Sequence, residues 1–299
     1  MRFHLAFGFT FAAFVTACGS PDAPPDAPKD VGFNKPTAGV RANTEVSSNN
    51  WMDLGPADLS CLNTASTDMV TSVAVTLHSS VKDFQSGNAV PNAMVTVFKD
   101  VDSGTPFDTQ TADGNANITF TIPTGVKRFG FKMTADSALP TFLLNQYVDP
   151  AMPDQTISKI QSVSSSTAAT LPALIGETRT AGTGVIAGAF RDCQLHEMSN
   201  FVATVSSTPM TATPIAGAEA YYFSAAVGLP VHHQQQESAS ADGIFMVIQL
   251  PVAPTAYVQM WGFKTDADVA GGQMSLLAQL QVPVLADTVI TGSYEPLRN

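Results

Sequence analysis

Ile118, Phe120 and Ile122 alternate with Thr119 and Thr121, and the same spacing recurs throughout the chain. Val73, Val75 and Leu77 alternate with Ala74 and Thr76, and Phe129, Phe131 and Met133 with Gly130 and Lys132. Met94 to Phe98 is another β-rich run. A period of two sends alternate side chains to opposite faces of an extended strand, so one set meets a core and the other meets solvent. Turn dipeptides separate the runs: Gly87-Asn88, Asp113-Gly114 and Pro123-Thr124-Gly125. Short strands with regular turns predict an all-β sandwich.

The order returns later in the chain. Gly184–Phe190 and Phe201–Val205 read as strands, and Ala218–Ser224 corresponds to the run at residues 93–98. Asp242-Gly243 corresponds to Asp113-Gly114, and Leu250-Pro251 to Ile122-Pro123. Aligned on those prolines, Met246, Ile248 and Leu250 fall opposite Ile118, Phe120 and Ile122, which predicts an apolar inward set in both copies. Two divergent copies of one β-domain account for this order.

The N-terminus has its own logic. Arg2 precedes an apolar stretch of eleven residues, Leu5 to Val15. That is shorter than the about 20 residues a spanning helix needs and suits a signal peptide. It closes on Val15-Thr16-Ala17-Cys18, which resembles the lipobox of bacterial lipoproteins. The resemblance implies export by the Sec route, cleavage before Cys18 and a lipid on its thiol. Gly19, where inner-membrane retention would use Asp, implies the outer membrane, with the folded part facing the periplasm or the cell surface. More than one acyl chain makes such an anchor durable.

These readings divide the chain into a signal peptide at 1–17 and a lipidated cysteine with a disordered proline-rich tether at 18–50. An ordered lead-in segment at 51–69 follows, carrying one or two helical turns. The first sandwich spans 70–150 and a linker spans 151–183, with a short helix over Thr167–Glu177 and Pro172 in its first turn. The second sandwich spans 184–299. With Cys18 assigned to lipid, Cys61 and Cys193 remain as a disulfide or two buried thiols. An exported protein favours the disulfide.

Val90-Pro91-Asn92-Ala93, then Thr111-Ala112-Asp113-Gly114, then Thr119 to Gly125 resemble the carboxypeptidase regulatory-like family. Pro214 to Ala218 and Ala241 to Phe245 resemble it more loosely. The resemblance implies a transthyretin-like (Ig-like) sandwich and a non-catalytic accessory module. Its motifs specify turns and core positions and carry no catalytic residue, and fold alone does not give function.

The formal charge of −11 argues against nucleic acid as a partner. Gly-x-Ser-x-Gly, Walker and His-Glu-x-x-His patterns are absent, so the expectation is no enzyme and no cofactor. Weak metal candidates remain. Asp113, Asn115 and Asn117 have the spacing that opens a calcium loop, but Ile118 stands where its glycine belongs. Tyr221, Tyr222, His232 and His233 match the ligand types of the iron-dependent intradiol dioxygenases, though adjacent residues on a strand should diverge. Trp51, Trp261, Tyr221, Tyr222 and Tyr257 are candidates for stacking on sugar. The functional expectation is a membrane-anchored module that binds an envelope protein or polysaccharide. A structural spacer and a metal-dependent enzyme are the alternatives.

Overall fold

A computed structural model describes residues 36–157, 159–174 and 178–299. The signal peptide, Cys18 and the tether up to residue 35 lie outside the described residues. The protein is predominantly β, in several sheets.

Among the described residues the first element is a hairpin, β1 (Arg41–Ser47) and β2 (Asn50–Pro56). Its two-residue turn places Asn49 at φ 57°, a left-handed conformation that Asn tolerates. The Arg41 guanidinium donates to Asp53 across it at 2.5 Å. Residues 41–50, expected to belong to a disordered tether, therefore lie in an ordered hairpin, and residues 51–56 continue its second strand where helical turns were expected. The reason lies far away in sequence: β1 pairs with residues 197–199, Arg41 facing Ser199.

The first half comprises β3 (Val75–Asp83), β4 (Met94–Lys99), β5 (Pro106–Thr111), β6 (Asn117–Ile122), β7 (Phe129–Ala135), β8 (Ala138–Gln146), β9 (Asp154–Thr156) and β10 (Ile160–Ser164). Its strands run in the order β5-β4-β7-β8-β10-β3-β6, with β9 also alongside β3. The sheet curls until β6 reaches β5, where the Thr121 amide donates to Asp108 at 2.9 Å. Strict alternation on β3 turns Val75, Leu77 and Val81 inward. They meet Val95, Val97, Phe120, Phe129, Phe131 and Met133, all fully buried. Phe129 stands edge-on to Phe131 at 5.4 Å, a favoured aromatic geometry.

Helix α1 (Ser165–Leu174) follows β10. It starts two residues before the expected boundary because the Ser164 hydroxyl accepts the Thr167 amide at 3.1 Å, an N-cap. Pro172 therefore lies beyond the first turn. The second half contains β11 (Gly184–Phe190), β12 (Glu197–Ser199), β13 (Val202–Ser206), β14 (Glu219–Phe223), β15 (Pro230–His232), β16 (Ile244–Leu250), β17 (Ala253–Gly262), α2 (Asp266–Gly271), β18 (Ser275–Val284) and β19 (Val289–Tyr294). The sheets β15-β14-β16-β11-β19 and β13-β17-β18 pack over Ile186, Phe190, Phe201, Tyr222, Phe245, Val258 and Met260.

The halves share one hydrogen-bonded sheet. Strand β19 lies parallel to β11 on one side and to β8 on the other, Thr291 facing Leu143. Phe98, Phe142 and Leu144 of the first half belong to the second half's core. Cys61 and Cys193 are disulfide-bonded, with Cα atoms 5.8 Å apart. Beside the bridge, the Asn63 amide donates to the Leu297 carbonyl and the Asn299 amide to Thr64. The lead-in segment thus packs with the second half. Arg128 adds a polar joint, donating to Asp68 at 2.7 Å and in two-pronged fashion to Glu295 at 3.0 and 3.2 Å.

The repeat alignment needs one correction. Met246 and Ile248 do not face the main core of the second half. Phe245 and Val247 do, while Met246 and Ile248 lie on the opposite face with Val185, Tyr221 and Val289. Residues 244–248 form an unbroken apolar run, the signature of a strand covered on both faces, so alternation cannot say which set points inward.

Candidate functional site

That second face opens into a groove of about 590 Å³. Its floor comes from alternate residues of neighbouring strands: Ala187 on β11, Met246 on β16, Val289 on β19 and Leu139 on β8. Phe84 and Val163 from the first half wall one side. The concavity follows from topology, since β8 carries β19 along residues 141–144 and β10 at residues 138–139, and the sheet divides there. Leu143 lines the groove and also packs against the first core.

Past the ends of β11 and β19 the lining becomes polar, with Arg191, Glu197, Asp242 and Glu295. Arg191 donates to Glu197 at 3.1 Å. Asp242 is buried, and desolvation first of all raises its pKa to about 6, with the nearby negative charge of Glu197 adding a minor push. The Ile244 amide at 3.0 Å and the Ser240 hydroxyl at 3.3 Å partly offset that rise. The adjacent Gly243 has φ +65°, and a side chain there would press on the Met198 and Phe190 backbone. Only glycine serves this turn without strain.

A second constellation lies on the same face. The pairs His232–Tyr221, Tyr221–Met246 and Met246–Ala187 form one row from β15 across β14 and β16 to β11. His232 and His233 were expected to diverge, and the structure brings them together with ring centroids 4.3 Å apart. The strand ends at His232, whose carbonyl accepts the amides of Gln235 and Gln236 in a turn. Glu219, which sequence reasoning did not single out, completes the group, its carboxylate 3.2 Å from His232 Nε2. One ligand atom from each of Glu219, His232 and His233 lies within 4.8 Å of the others. Tyr221 and Tyr222 do diverge, the first onto the groove face and the second into the main core.

The other candidates are dispersed. Asp113 spends one carboxylate oxygen on the Asn115 and Asn117 amides, both at 2.8 Å, so its side chain closes the turn. Its pKa is lowered, chiefly by the Asn117 amide. Among the aromatics proposed for sugar stacking, Trp51 lines the groove while Tyr221 and Tyr222 are fully buried. Tyr257 and Trp261 share the outer face of β17 in the other sheet, where the Trp261 indole donates to Gln259 at 3.1 Å. The five do not form a platform.

No known protein family matches this chain, and no curated protein does. Among solved structures, the Bacillus anthracis TIE protein overlaps 74% of this chain at 12% identity and a TM-score of 0.25, and the chain spans 34% of its length. A variant of the shaft pilin SpaA from Lactobacillus rhamnosus GG overlaps 75% of this chain and 99% of its own, at 9% identity and a TM-score of 0.24. A candidate carbohydrate-binding protein from Bacteroides uniformis overlaps 70% and 98%, also at 9% identity and a TM-score of 0.24. At such scores the likeness carries no argument about this chain.

Proposed function

We propose that this chain is an extracytoplasmic lipoprotein whose two tandem β-modules bind an envelope partner without catalysis. The groove carries the reading: an apolar face of a well-packed sheet stays open over about 590 Å³, bordered by charged residues. The Cys61–Cys193 bridge supports an oxidising compartment. The lipobox at Cys18 supplies the anchor, to the outer membrane, and the proline-rich run behind it the reach. The proposed occupant is an extended segment of another envelope protein, whose apolar side chains would meet Ala187, Met246 and Val289.

A photo-cross-linking residue at Ala189 on the groove face tests this in cells, with the exposed Met210 as the control position. The reading expects one reproducible adduct from position 189 and none from 210. No adduct from 189 in correctly anchored protein leaves a structural spacer. Replacing Cys18 with Ala should move the protein out of the membrane fraction, and retention there would remove the anchor.

A further inference from the structure

Strand β15 is three residues long and forms the edge of its sheet. It sets His232 opposite Tyr221, and Glu219 stands two residues before Tyr221 on the same face of β14. The turn after β15 returns His233 to β14, where its amide donates to the Ala220 carbonyl at 3.1 Å. All three side chains are half-buried, so an ion can reach them while part of the competing water is excluded. The Tyr221 ring stands edge-on to His232 at 5.1 Å and limits its rotation.

We propose that Glu219, His232 and His233 bind one divalent metal ion of the zinc class. Two imidazole nitrogens with one carboxylate oxygen form a donor set that zinc uses, and the two nitrogens disfavour calcium, which takes oxygen ligands. Zinc holds such atoms at about 2.0–2.2 Å, so ligand atoms already within 4.8 Å of one another close on it by side-chain rotation. Three protein ligands leave a fourth position for water or a donor from a partner. The ordinary alternative is a hydrogen-bonded His–Glu pair. The Gln234 amide approaches His232 Nδ1 at 3.3 Å, which places the ring proton on Nε2, toward Glu219. Metal binding at Nε2 moves that proton to Nδ1, where it would face the Gln234 amide, so the Gln234 contact, long and therefore weak at 3.3 Å, must open as the ring turns toward the ion. Bound metal would fasten the edge hairpin β14–β15. The site does not depend on the groove being a binding surface.

Calorimetric titration of the metal-free full-length protein with zinc chloride tests the proposal. The expected result is one equivalent per chain, together with a raised melting temperature. His232→Ala/His233→Ala should abolish both effects, and Glu219→Gln should weaken binding by about tenfold or more. His78→Ala/His196→Ala should leave binding intact, because those residues form separate pairs with Asp154 and with the buried Asp192. Far-ultraviolet circular dichroism checks folding, and His232→Gln/His233→Gln serves if the alanine pair misfolds. No stoichiometric zinc in the wild type, or unchanged binding in the His232/His233 variants, overturns the site. Loss of binding only in the His78/His196 variant overturns it as well.

Discussion

Strands β6 and β16 hold corresponding places in the two halves and are used differently. On β6, Ile118, Phe120 and Ile122 are buried while Asn117, Thr119 and Thr121 are exposed. On β16, the five residues 244–248 are apolar, and four of them are buried. The first half spends its apolar face on a closed interior. The second half fills one core with Phe245 and Val247 and keeps Met246 and Ile248 for a second face. A strand with apolar residues on both sides needs two coverings, and here the second covering is incomplete.

The largest expected effect sharpens the contrast in connectivity. Replacing Cys61 and Cys193 with Ala frees a loop with a sequence separation of 132, which should cost about 4–5 kcal/mol by loop-closure entropy as an upper value. Because the bridge ties the lead-in segment to the second half, hydrogen exchange should accelerate in β1, β12 and the C-terminal residues before it does in β3 and β6. Uniform acceleration would contradict that assignment.

Core truncation probes the faces directly. Phe120→Ala in the closed interior should cost about 3–5 kcal/mol, measured by urea unfolding. Met246→Ala on the groove face should cost about 1–2 kcal/mol, because the open side relieves the cavity. Equal costs would mean that the second face is as enclosed as the first core.

Titration at the groove rim gives a smaller effect with a definite sign. Asp242 is held near a pKa of about 6, above its ordinary value, so the native state binds its proton more tightly than the unfolded chain. Stability should therefore fall as pH rises from about 4 to about 6 and level off above that. Asp242→Asn should flatten this stretch of the curve and leave the rest unchanged. The smallest effect sits in the main core, where the Tyr294 hydroxyl is buried without a hydrogen-bond partner among the described residues. Tyr294→Phe should stabilise the protein slightly, by up to about 1 kcal/mol, and raise the midpoint of thermal unfolding accordingly, since it removes a desolvated hydroxyl.

The β class and most first-half strands were legible because alternation needs only local residues. What escaped depended on distant pairing. Residues 41–47 become a strand against β12, some 150 residues away, and nothing nearby announces it. The divergence of Tyr221 from Tyr222 followed from strand geometry, whereas the meeting of His232 and His233 did not, because a turn ends β15 between them. Glu219 joined them through the register of β14 and β15, which one sequence does not display.

The central claim is that the open face of the second half receives a partner segment. Filling the groove floor with Ala187→Trp, while a photo-cross-linker sits at Ala189, tests it most directly. The account predicts a folded protein with its circular dichroism unchanged and the adduct lost. An adduct that persists at wild-type yield with the groove filled would contradict it.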